Sequence, residues 1–538
     1  MRGTARARWA VGAAVLALAA TACGGGDDGG DEGAGEAASG GSFSMESGEP
    51  ESLIPGNTNE SEGSQVLQAL YSGLYDYDAE TSEPIAEMAE SVESDDQINW
   101  TITIKDGWTF HDGTPVTAQS FVDAWNWTAY SPNAAGNSYF HDKVVGYDDL
   151  QGEEGATPTA QEMSGLQVTD DLTFTVQLNA PFSQFPLTLG YNAFFPMAEA
   201  CLADIEACNE EPIGNGPYQM DGPWEHNQAI NLTRYEDFAG EPGNADTVEF
   251  RIYSDINTAY NDLLAGNLDV MNQVPPERIA TLATDFPDRN IVQPESAFTA
   301  VAFPLYDARF TNPELRQAFS QAIDRQAIID AIFNGTRVEA KSLVSPVVAG
   351  SREDACGELC EYDPAAAKQK FDAAGGFQGT LTLWFNSGAG HEKWMEAVSN
   401  QLRQNLGIKT IKFKSLEFAE YLGLLDEEKV TGPFRLGWSM DYPSPQNYLE
   451  PIYGTTGSSN NFGYSNKKVD DLIDQGNSAA DVDAGIDLYN QAEDLILQDM
   501  PVIPMWFGKV QAAHSENVSN VVVDAFTSVR AAQVTVNK

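Results

Sequence analysis

At 538 residues, 42% of them hydrophobic, the chain is too long for one compact core and apolar enough for two or three. Acidic residues outnumber basic ones 80 to 29, a formal charge of −51. That excess argues against nucleic acid or an anionic membrane face as a partner, since both demand a basic surface. A solvated acidic exterior that keeps the chain soluble accounts for the charge without invoking a ligand.

In chain order, Arg2, Arg6 and Arg8 precede an apolar run, Trp9–Ala20, and then Ala20-Thr21-Ala22-Cys23. The run is shorter than the ~20 residues of a spanning helix. Alone it reads as a signal peptide with an incidental cysteine. Gly24-Gly25-Gly26-Asp27-Asp28, however, opens a Gly/Asp/Glu tether suited to holding a folded body off a bilayer. The stretch resembles a bacterial lipoprotein signal: 1–22 removed, Cys23 lipidated, 23–42 the tether. Ala20 departs from the Leu usual at its position. The implied location is extracytoplasmic, lipid-anchored to the outer face of a bacterial cytoplasmic membrane.

Four cysteines remain, in two close pairs, Cys201/Cys208 and Cys356/Cys360. In an exported chain their polar, loop-like surroundings favour two local disulfides. Neither pair has C-x-x-C spacing or a His-rich neighbourhood, so no metal is expected, nor any cofactor.

Asn99–Ile104 places Trp100, Ile102 and Ile104 on one face, and Leu172–Leu178 does the same with Leu172, Phe174, Val176 and Leu178. Both predict half-buried strands. Gly113-Thr114-Pro115 reads as a turn, after which Thr117 caps a helix carrying Phe121 and Trp125. Asn312-Pro313-Glu314 is a helix start, and one helix is predicted from there through Phe333 to a stop at Gly335. Ile486, Tyr489, Leu495 and Ile496 mark another helix ending before Pro501, and Pro501–Pro504 reads as a buried extended crossing. The mixture predicts an α/β (α+β mixed) protein in lobes.

Signatures of catalysis are missing from the sequence. It has no G-x-x-x-x-G-K-[ST], no G-x-S-x-G and no H-E-x-x-H, and its five histidines are scattered. Carboxylates are so abundant that acidic pairs arise by chance. A non-enzymatic role is expected.

A series of segments in fixed order carries more. Leu70-Tyr71-Ser72-Gly73-Leu74-Tyr75 precedes Met88-Ala89-Glu90-Ser91 and Phe110-His111-Asp112-Gly113-Thr114-Pro115-Val116-Thr117-Ala118. Pro212-Ile213-Gly214-Asn215-Gly216-Pro217-Tyr218 follows, then Leu315-Arg316-Gln317-Ala318-Phe319 with Ala322-Ile323-Asp324-Arg325. Tyr362-Asp363-Pro364, Gly437-Trp438-Ser439-Met440-Asp441-Tyr442 and Pro501-Val502-Ile503-Pro504 complete it. From about Phe43 onward the set resembles the peptide/nickel-type (family 5) solute-binding proteins of ABC transporters, the oligopeptide- and dipeptide-binding lipoproteins in particular.

The resemblance implies a two-lobed periplasmic-binding-protein fold of type II, cluster C. Lobe one would span 43–300 with a subdomain inserted at about 75–212, lobe two 301–516, and 517–538 would return to lobe one. The implied partners are a short peptide, ABC permease and ATPase subunits, and the membrane through the anchor, with the protein itself a monomer. The implied mechanism is hinge closure. The same fold binding an oligosaccharide or metal chelate, or a peptide-sensing receptor, is the rival.

The ligand signal lies in Arg435 to Pro443. Read as an extended segment, Arg435, Gly437, Ser439 and Asp441 share one face and Trp438 takes the other. In the relatives the aspartate matching Asp441 pairs with the peptide's α-amino group, and the strand before it pairs with the peptide backbone. Capping the turn before Pro443 is the plainer role for Asp441. The resemblance also implies a second backbone-pairing segment at Asn59, Glu60 and Ser61, with Asn59 where relatives keep an acid. It implies Arg435 for a peptide carboxylate, or else an internal salt bridge. Asn386, His391, Asn272 and Phe418 become pocket wall, although a core role would equally explain Phe418. Asp426 replaces a base found in some relatives, leaving peptide length and sequence open.

Overall fold

The computed structural model describes residues 40–152 and 157–537. The signal, Cys23 and most of the tether lie outside the described residues.

Local rules explain most elements. Asn99–Ile104 buries Trp100, Ile102 and Ile104 and pairs antiparallel with Thr173–Gln177, setting Ile102 opposite Phe174. Thr117 heads the helix Ala118–Ala129, its backbone N–H donating to the Ser120 hydroxyl, and Phe121 and Trp125 are fully buried. The predicted helix after Asn312 is instead two, Pro313–Gln321 and Arg325–Phe333. Apolar spacing continues across the break, but the Asp324 carboxylate accepts from the Ala327 N–H at 2.9 Å and starts a new helix. Val482–Asp499 forms the later helix, and Pro501–Pro504 leads into the long buried strand Val502–His514.

The structure joins Cys201 to Cys208 and Cys356 to Cys360. Their setting differs from the expectation. Cys201 and Cys208 lie on two short consecutive helices, and all four side chains are buried.

An eleven-stranded sheet runs through the molecule. Its path is Ile411–Leu416, Leu381–Asn386, Phe434–Trp438, Asn290–Ala302, Val502–His514, Val270–Met271, Ser42–Ser47, Thr247–Ile252, Ala229–Arg234 and Tyr218–Met220. Arg337–Glu339 pairs alongside Val502–His514. The two long strands at the centre, 290–302 and 502–514, are antiparallel, and their register shifts between Pro294 and Phe298. One large hydrophobic core draws on Ile54 to Cys208. A second combines Phe43 to Tyr71 with Tyr218 to Val270 and Val510 to Val534. Two more are built between Phe298 and Ala525.

Candidate functional site

Three of the ordered motifs lock together. The Gly214 N–H donates to His111 Nδ1 at 3.1 Å and His111 Nε2 meets the Gly216 carbonyl at 3.2 Å, which fixes the ring proton on Nε2. Burial holds that ring neutral, its pKa lowered to about 4. Asn215, fully buried, accepts from the Ser72 N–H at 3.1 Å and donates to the Ser72 carbonyl at 3.0 Å. A β-carbon at position 214 would lie 1.9 Å from the Leu70 carbonyl oxygen, so only glycine lets these segments meet. The lock presents Tyr71, Ser72 and Gly73 to a cavity of about 1320 Å³.

That cavity gathers distant segments: 59–77, 85–87, 190–195, 272–279, 295–297, 439–441 and 520–533 all contribute. Residues 295–297 sit where the two central strands lose register. Of the expected ligand residues, Asn59, Glu60, Ser61, Asn272, Ser439 and Asp441 line it. Glu60 also caps the helix Ser61–Leu70, accepting from the Gly63 N–H at 2.7 Å. Asn272 donates to the Thr527 carbonyl at 3.0 Å.

Asp441 is half-buried, and its surroundings correct the period-two argument. The strand stops at Trp438, so alternation does not carry to Asp441. Asn447 orients it instead: Nδ2 donates to the carboxylate at 2.9 Å, while Oδ1 accepts from the Asp441 N–H at 2.9 Å. Asn447 lies on the helix Pro445–Tyr453, whose cap is Ser444, accepting from the Gln446 N–H. The Asp441 carboxylate accepts from Asn447 and, among the described residues, from no backbone N–H of the turn before Pro443. Desolvation lifts its pKa to about 6, opposed by the Asn447 hydrogen bond, and among the described residues no cation is paired with it.

Arg435, Gly437, Trp438, Asn386, His391 and Phe418 do not line this cavity. Trp438 packs into a hydrophobic core and its indole N–H donates to Asn447 Oδ1 at 3.3 Å. A β-carbon at position 437 would lie 2.2 Å from Arg435 Nη2, so the bare Gly437 backbone leaves the space that the Arg435 guanidinium takes. Phe418 is 50% exposed, so it is neither core nor cavity wall. The salt bridge considered for Arg435 is absent among the described residues. Its Nε, His391 Nε2 and Asn386 Oδ1 are buried and make no hydrogen bond there. Burial, with Arg435 adding to it, lowers the His391 pKa to about 4. Beyond Phe434, and among the described residues, Phe434–Trp438 ladders only with Asn290–Ala302, its other edge unpaired there.

Sequence reasoning missed the C-terminal wall. Arg530 makes two bonds to Asp76 at 2.6 and 2.7 Å, donates to the Tyr77 carbonyl at 2.6 Å and approaches Asp524 at 3.2 Å. Phe526 stacks on Tyr77, with ring centroids 5.3 Å apart. The one available signal was Asp524 and Arg530, opposite charges flanking an aromatic residue. The charged wall position at Glu87 carried no motif.

The cavity is thus reached from many segments of the chain and holds at its wall a carboxylate oriented by Asn447. The chain belongs to the bacterial extracellular solute-binding proteins of family 5, a family of ABC transporters, whose model matches residues 83–460. The oligopeptide-binding protein OppA of Bacillus subtilis (strain 168) is 26% identical over 493 residues, 88% of this chain and 89% of that one. The dipeptide-binding protein DppE of the same organism is 28% identical over 460 residues, 82% of each chain. In three dimensions, the unliganded open form of the periplasmic murein tripeptide binding protein MppA aligns with a TM-score of 0.80 at 23% identity. It covers 93% of this chain and 98% of that one.

Proposed function

We propose that the protein captures short peptides outside the cytoplasmic membrane and delivers them to an ABC permease. The observation that carries this reading is Asp441, a carboxylate at the cavity wall that burial partly desolvates and that no cation among the described residues neutralises. A peptide's α-ammonium group would restore what desolvation removes, through a charge-assisted hydrogen bond. Ser439 and the 59–61 segment would pair with the peptide backbone, which every peptide offers, so side chains would matter less. Arg435, His391 and Asn386, with their unspent polar atoms, would meet the peptide's carboxylate or its later residues once the walls approach.

The central strands, 290–302 and 502–514, would act as the hinge, flexing at the register shift beside residues 295–297. Residues 43–300 and 301–516 would be the moving lobes, and Cys23 the lipid anchor. The relatives named for oligopeptides and dipeptides support the solute class.

Calorimetric titration with tri-alanine and its N-acetylated form tests the reading. Acetylation, or Asp441→Asn, is expected to cost about 2 to 5 kcal/mol of binding. Equal affinities for the free and acetylated peptides would overturn it.

A further inference from the structure

The carboxylates around the cavity are unequally served. Asp76 and Asp524 share Arg530. Glu60 spends its oxygens on the N–H groups of Gly63 and Glu51. Asp106 and Glu241 stand at the exposed rim, and Glu295 has Arg337 nearby. Glu87 differs from all of these. It faces the cavity half-buried, accepts from the Ser72 hydroxyl at 2.8 Å and forms no ion pair among the described residues.

The two neighbouring cations are already committed. Arg530 belongs to Asp76 and Asp524, and the Lys105 ammonium donates to the Ala86 and Glu87 carbonyls at 3.2 and 2.7 Å. On this wall Asp76, Glu87, Asp106 and Asp524 therefore outweigh Lys105 and Arg530. Burial, with Asp76 adding to it, raises the Glu87 pKa to about 7, against the pull of the Ser72 hydroxyl and the more distant Arg530 charge. Tyr71, Tyr75 and Phe195 line the same cavity, Tyr71 stacked on Phe195 at 6.3 Å between centroids. Such rings suit the methylene stem of a long cationic side chain and attract its charged head.

We propose that Glu87, held by Ser72 and reinforced by Asp76, forms a subsite for the ammonium or guanidinium of a peptide lysine or arginine, so that this cavity selects cationic peptides. The subsite rests on the peptide reading above and adds a preference to it. An acidic peptide side chain entering the same place meets carboxylate rather than cation and is rejected.

The test is calorimetry on the purified chain with tri-alanine and three series of tripeptides, carrying one lysine, norleucine or glutamate at each position in turn. At one position lysine is expected to bind at least tenfold tighter than alanine. Norleucine, which keeps the stem without the charge, should bind within about threefold of alanine, and glutamate at least tenfold more weakly. Glu87→Gln should bring the lysine-to-alanine affinity ratio at that position close to one. Tri-alanine binding with lysine, norleucine and glutamate peptides all within threefold would overturn the subsite and leave peptide binding standing. A tenfold lysine preference that survives Glu87→Gln would likewise overturn the assignment to Glu87. Failure of every tripeptide to bind would remove the peptide reading itself.

Discussion

Asp441 is a carboxylate whose ordinary acidity has been given up to burial, and its pKa of about 6 makes binding sensitive to pH. Pairing with an ammonium requires the ionised form, so the bound state pulls the pKa back down. As pH falls through 6, ligand-free protein takes up a proton that the complex must expel. Affinity for tri-alanine should therefore hold steady between pH 7 and 7.5, then weaken toward about tenfold per unit below 6. At pH 6 the titration should release protons, visible as a dependence of the heat on the buffer's ionisation enthalpy. A dissociation constant unchanged from pH 7 to pH 5 would sink the amine-anchor role. This residue was legible from its motif context, not from strand alternation, because the strand ends three positions earlier.

At the scale of elements, the ordered motifs prove to be joints. Arg325, wholly buried, donates to the carbonyls of Pro504 and Cys360 at 2.6 and 2.9 Å and to the Ser320 hydroxyl at 2.7 Å. It ties the second helix after Asn312 to the extended crossing and to a disulfide loop. Asn215 does comparable work beside the cavity, serving both backbone groups of Ser72. Asn215→Ala leaves that buried N–H and C=O without partners and should cost about 2 to 4 kcal/mol, read from urea unfolding. A loss below about 0.5 kcal/mol would show that Ser72 finds other partners. Strand Asn99–Ile104 was readable residue by residue because alternation is a local signal. The break at Ala322–Asp324 was not, since Asp324 caps a helix inside an unbroken apolar pattern. The cysteine pairs were readable from spacing, while their burial on helices was not.

For the whole molecule, the sequence announced mixed elements and several cores, but not which strands share a sheet. Register across 502–514 and the arrival of 520–533 at the cavity depend on contacts between residues hundreds of positions apart, which no local pattern encodes. The same long-range packing sets the response to acid. Glu46 and Glu87, raised to about 7, and Asp441, raised to about 6, bind protons in the native state before the unfolded chain does. They strengthen folding as pH falls from 7 toward 4.5. His111 and His391, lowered to about 4, and His141, lowered to about 3, do the reverse. Below the unfolded pKa of about 6.5 the unfolded chain takes up protons that these buried rings refuse, and stability falls. His141 is the cleanest probe: it is fully buried between Trp125 and Phe194, at 5.7 and 4.9 Å between ring centroids, far from any ligand role assigned here. His141→Phe keeps an aromatic ring and removes the titration. Whatever its effect at pH 7, the variant should gain on the natural protein as pH falls, by about 2 kcal/mol at pH 5. Urea melts at pH 7, 6 and 5 measure that difference, and a difference that stays constant would show that His141 becomes protonated within the folded core.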